Sequence, residues 1–147
     1  MSLRIPARSR GDFALAKAYL RRDPEIRGIF ARLEHSHRSF EIRTNSRGDD
    51  HFDPNTNKSA WDPYSALRTT QGGRQSPALG LAHELAHAAE RPDREAALSA
   101  HSIARYDTAE ERRVIRGPER RAASILGEAN RCDHRGSIYR VATPVSR

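Results

Sequence analysis

The chain has 147 residues, 36% of them hydrophobic and 31% charged, with a formal net charge of +7. That length suits a single domain with a real core, whereas a mean hydropathy of −0.84 leaves room for loops or an end outside it. No apolar run approaches the length that crosses a bilayer, which excludes membrane insertion.

The positive charge comes from 24 arginines and 2 lysines. They are scattered through every segment, with no basic block and few aromatics, a pattern that argues against a nucleic-acid surface. A monomer is expected. The single cysteine, Cys132, rules out an internal disulfide framework and reads as a small half-buried residue. The start of the chain lacks the apolar core of a cleaved secretory signal. The protein is therefore expected in a cytosol, or to leave the cell by a route that does not read such a signal.

Residues 1–11 are basic and carry Pro6 and Gly11, which predicts a mobile lead-in before one domain over 12–147. Asp12 is placed to cap a helix to about residue 22, with Phe13, Ala16 and Leu20 on one side. Asp23-Pro24 opens a second helix, where Ile26, Ile29, Phe30 and Leu33 follow helical spacing. His35 and His37 read as surface residues. Residues 38–44 alternate apolar and polar like a half-buried strand, 45–50 form a turn-rich connection, and 51–58 read as loop or strand end. Residues 59–64 suggest a short strand continued by 65–70. A short, mostly antiparallel sheet from 38–44 and 59–68 is expected beside the helix that follows, its edge open to an extended peptide. The fold class is α+β.

Residues 76–89 organise the rest. Ser76 is a good N-cap and Pro77 suits the first helical position. His83-Glu84-Leu85-Ala86-His87 is the H-E-x-x-H signature of zinc hydrolases. On a 3.6-residue period the two imidazoles stack on one face, while Leu81, Leu85 and Ala88 can press into a core. Glu84 falls about 100° round from His83, placed to take a proton from a zinc-activated water.

Arg91-Pro92 ends that helix, and 95–103 has weak helical spacing that includes His101. Val114 and Ile115 anchor the next helix until Gly117-Pro118 forces a stop. Residues 119–131 read as a further helix with Ala122, Ile125, Leu126 and Ala129 as its buried stripe, and 136–141 as a last strand. A hydrolytic zinc wants three protein ligands, and Glu110, Glu111, His101 and His134 are the candidates for the third. Glu90 and Asp93 stand where a glycine and a histidine would make the H-E-x-x-H-x-x-G-x-x-H pattern, which excludes that class.

Residues 76–88, the run Glu110-Glu111-Arg112-Arg113-Val114-Ile115-Arg116-Gly117, then Glu128-Ala129-Asn130-Arg131 and Tyr139 resemble the NleD-like effector zinc metallopeptidases. These are secreted proteases that bacteria deliver into other cells. The resemblance spans about residues 59–141, and a similar local pattern occurs in the clostridial neurotoxin light chains. It implies a small zincin-like domain holding Zn2+ on His83, His87 and Glu111, with Glu110 supporting the ligands. It also implies Arg131 and Tyr139 at the oxyanion, with Glu128 placed to orient Arg131. The expected activity is that of a zinc-dependent endopeptidase, an effector or toxin cleaving a target-cell protein. Its competitors are a non-catalytic basic binding module and a zinc hydrolase acting on something other than a peptide.

Overall fold

The computed structural model describes residues 3–147 and has an α+β architecture with small mixed sheets. The lead-in expected to be mobile is, from Leu3 onward, part of the fold. Strand β1 (Leu3–Arg4) pairs in parallel with β2 (Phe40–Thr44), and Leu3 is buried. A 3-10 turn (Ala7–Ser9) then leads into α1 (Arg10–Leu20). Asp12 lies in the first turn of α1 rather than capping it, and its carboxylate accepts the Tyr64 hydroxyl.

Helix α2 (Pro24–Glu34) starts where the sequence places it. The Asp23 carboxylate accepts the Glu25 N–H, and Pro24 costs no hydrogen bond at the first position. Its spaced Ile26, Ile29, Phe30 and Leu33 are buried together with Phe13, Ala16 and Leu20 of α1.

The larger sheet runs in the order β1-β2-β4-β3, with β3 (His51–Asp53) at one edge and β4 (Lys58–Trp61) inside it. The expectation of a mostly antiparallel sheet fails here: β1–β2 and β2–β4 are parallel, and only β3–β4 is antiparallel. Helices α1 and α2 carry the chain from β1 back to the start of β2, the crossover that a parallel pair requires. Residues 65–68, expected in this sheet, instead form β5 (Ser65–Arg68) of a second one, between β6 (Arg74–Gln75) and β9 (Ser137–Arg140).

Helix α3 (Pro77–Ala88) is buried along nearly its whole length. The Ser76 hydroxyl accepts the Leu79 N–H, and the indole N–H of Trp61 in β4 donates to the Pro77 carbonyl. Leu79, Leu81 and Leu85 enter the main core, each contributing about 1.5–3 kcal/mol by burial. After α4 (Pro92–Ser99), the short pair β7 (Ser102–Ile103) and β8 (Asp107–Thr108) leads into α5 (Ala109–Val114), capped by the Thr108 hydroxyl.

Gly117-Pro118 does not end the helical path. Residues Ile115–Glu119 form a π-type turn in which Gly117 leaves helical geometry at φ −107°, ψ −106°, and α6 (Arg120–Leu126) follows directly. Gly127, left-handed at φ +72°, closes α6 well short of the expected residue 131. Ala122 and Leu126 face the core, but Ile125 is exposed. Among the described residues no helix is long and apolar enough to cross a membrane.

Candidate metal centre

His83 and His87 project from one face of α3, and Glu111 reaches them from α5. The His83 and His87 Nε2 atoms are 3.0 Å apart, and Glu111 Oε2 lies 2.8 Å from the first and 3.3 Å from the second. Among the described residues these three form a group that could hold a metal ion.

The far side of each ring is fixed by a carboxylate. His83 Nδ1 donates to Glu119 Oε2 at 2.6 Å, and His87 Nδ1 donates to Glu110 Oε1 at 3.0 Å. With Nδ1 carrying the hydrogen, each Nε2 turns its lone pair inward. Two such lone pairs 3.0 Å apart repel unless a cation or a proton lies between them. A tetrahedral ion with ligands at about 2.0 Å separates its donors by about 3.3 Å. The three atoms are therefore spaced as such a set, drawn slightly together.

Electrostatics in the metal-free protein follow from this crowding. Burial opposes a charge on His83, but hydrogen bonds to Glu111 and Glu119 outweigh it and hold the imidazole up to about 10. Burial would raise Glu111, yet His83 and His87 hold it far below the usual carboxylate range. Glu119, also buried, is pulled down to about 2 by the Arg131 guanidinium and by His83. Glu110 is lowered against its own burial by Arg113, which grips both its oxygens at 2.6 and 2.8 Å, and by His87.

Glu84 is 7% exposed, with Oε1 4.0 Å from His83 Nε2. It stands between two cavities: one of about 140 Å³ towards the start of α3, and one of about 420 Å³ bounded by β3, α4 and α5. Asp50, just before β3, lines both. Burial, reinforced by Glu84 and Asp62, pushes its carboxyl up to about 7 against the pull of the Asp62 N–H.

The other sequence candidates fall into place unevenly. Glu110 touches His87, as expected of a supporting carboxylate. Arg131 lines the smaller cavity, but its partner is Glu119, bound through Nε at 2.7 Å and Nη2 at 2.9 Å. Glu128 does not meet Arg131. It accepts the Ser76 N–H and hydroxyl and the Tyr19 hydroxyl, fastening the start of α3. Because Gly127 ends α6, residues 128 and 131 do not share a helix face.

Tyr139 is not brought to the metal group. Its neighbour Ile138 lines the smaller cavity, so Tyr139 faces the other side of β9, where its ring lies under Arg74. Its buried hydroxyl has no hydrogen-bond partner among the described residues. His134 Nε2 lies 3.4 Å from Glu111 Oε2, while its Nδ1 donates to Asp107 at 2.6 Å; it flanks the third donor without joining the group. His101 is exposed and contributes its backbone carbonyl to the Ala109 N–H.

Nothing in the sequence marks Glu119 or Asp50 as a site residue. Glu119 sits behind Gly117-Pro118, which reads as a terminator, and Asp50 is one of several acids in a polar loop. Comparison of the chain with family models, curated proteins and solved structures gives no match.

Proposed function

We propose that this protein is a zinc-dependent endopeptidase with a zincin-like catalytic domain. The observation that carries the reading is the position of Glu84, a nearly buried carboxylate beside three converging metal donors yet outside their group, and lining both adjoining cavities. His83, His87 and Glu111 would hold the ion, and two imidazoles with one carboxylate suit Zn2+ in a hydrolytic role. Zinc bound there supplies Lewis-acid polarisation and lowers the pKa of water to about 7.

The chain's own groups do the rest. Glu84 accepts the proton of the attacking water and hands it to the departing amine. Glu119 and Glu110 hold the two rings in the tautomer that turns Nε2 inward. Arg131, locked on Glu119, acts through that carboxylate as a positioning residue. The first two resemblance blocks, residues 76–88 and 110–117, support the narrower reading of a secreted effector or toxin that cleaves a protein in a target cell, while Glu128 and Tyr139 of the third do not take the roles it implies.

The test is digestion of unfolded casein by the zinc-loaded protein and its Glu84→Gln variant. The variant is expected to keep its zinc and lose about 10²–10⁴-fold in rate. Proteolysis at the wild-type rate by Glu84→Gln would refute the assignment.

A further inference from the structure

We infer that the smaller cavity beside Glu84 is a specificity pocket for a basic substrate side chain, lysine or arginine, with Asp50 as the group that receives its charge. This rests on the peptidase reading above and adds the substrate class to it.

The cavity is bounded by Leu67, Leu79 and Ile138, apolar walls suited to the stem of a long side chain. Asp50 lines it as well. Oδ1 accepts the Asp62 N–H at 2.7 Å, which fixes the carboxyl's direction. Oδ2 has no hydrogen-bond partner among the described residues, and it presses against Gly80, where a Cβ would stand 2.9 Å away. Gly80 precedes Glu84 by four residues on the same face of α3, so Asp50 Oδ2 stands against the helix one turn before the proposed proton acceptor, in the cavity that both residues line. A side chain entering beside the reacting bond would meet this oxygen within a few ångströms of the chemistry.

The charge pattern favours a cation. The chain as a whole carries +7, yet Arg131 is the one lysine or arginine lining either cavity, and Glu119 already neutralises it. In the larger cavity Glu110 is paired with Arg113, Asp107 with His134 and Glu111 with the metal group, while Glu95 takes only the Ser99 hydroxyl; in the smaller one Glu119 is taken by Arg131. Asp50 and Glu84 are left, and Glu84 has its own task. A half-buried carboxylate with one oxygen free is best completed by a guanidinium or an ammonium.

The experiment compares zinc-loaded wild type, Asp50→Asn and Gly80→Ala on peptide libraries that carry arginine or citrulline, and lysine or norleucine, at each position near the scissile bond. Citrulline keeps the shape of arginine and lacks its charge. Wild type is expected to cleave the charged member of a pair at least about tenfold better in kcat/KM at one position, chiefly through KM. Asp50→Asn should bring that ratio near one. Gly80→Ala, whose methyl displaces Oδ2, should reduce the ratio in the same direction and stands in if Asp50→Asn does not fold. Equal cleavage of charged and neutral peptides by wild type would overturn the inference and leave the peptidase reading intact. So would an equal loss on all peptides in Asp50→Asn.

If the zinc-loaded protein cleaves no peptide, the peptidase reading fails, and calorimetry then decides the pocket separately. Glu84→Gln titrated with the arginine and citrulline libraries should bind the former at least about tenfold more tightly, and equal binding would sink the inference.

Discussion

Replacing Glu119 with glutamine probes the least obvious part of the centre. The carboxylate receives four donors: Arg131 Nε and Gln75 on one oxygen, Arg131 Nη2 and His83 Nδ1 on the other. A glutamine offers an acceptor at one end only, so one of these pairs must face an NH2. Two charge-assisted hydrogen bonds at about 1.5–3 kcal/mol each give a loss of about 3–6 kcal/mol. Leaving the buried Arg131 unpaired costs about 3–5 kcal/mol by an independent route. Against a typical total stability of about 5–15 kcal/mol, Glu119→Gln should fold but unfold at a clearly lower urea midpoint. Because His83 keeps at best a neutral amide oxygen in place of a carboxylate, zinc affinity should fall about 10–100-fold in competition with a chromophoric chelator. A variant with the wild-type urea midpoint and zinc affinity within twofold of wild type would refute the assignment of Glu119 as the group that aims His83.

Glu128→Gln provides the contrast: it should lower the melting temperature by loosening the start of α3, while zinc affinity measured on the folded protein stays within a few-fold of wild type. Glu111→Ala should all but abolish tight zinc binding, whereas His134→Ala should weaken it only slightly, as metal content after dialysis would report. The pH response of the metal-free protein follows from two shifts of opposite sign. His83 is raised from 6.5 to about 10, so its contribution is fully present below about 6.5 and lost as pH climbs towards 10. Glu119 is lowered from 4.5 to about 2, so its contribution is present above about 4.5 and lost as pH falls towards 2. Urea midpoints in chelator should therefore peak between about 4.5 and 6.5. Zinc affinity should rise with pH over the same range in which the metal-free protein weakens, because ion and proton compete for His83 Nε2.

What the sequence discloses here is what local spacing determines. Ser76-Pro77 and Asp23-Pro24 mark their helix starts because caps act within one turn, and the four-residue step from His83 to His87 fixes a shared face wherever the helix lies. What it hides depends on distant partners or on parity. Glu119 reaches His83 only because the path bends at Gly117 instead of stopping, a bend held by the pairing of Glu119 with Arg131 and Gln75. Tyr139 misses the centre by one position, since pairing it with Ala66 gives the cavity side to Ile138. Glu128 and Arg131 are three apart, which makes them neighbours only in a helix that Gly127 has already closed. The parallel pairing of β1 with β2 rests on the two-helix crossover and that of β2 with β4 on the intervening β3, and neither leaves a trace within the strand itself.

The bend at Gly117 has a wider effect. It lets one short run, residues 110–119, deliver a metal donor and the props behind both imidazoles, while the other run, 83–87, supplies the rest. A centre contained in two such brief stretches asks little of the remaining chain beyond keeping them pressed together. Kinship in this protein is therefore best sought by the paired spacing of these two stretches and not by likeness along its length.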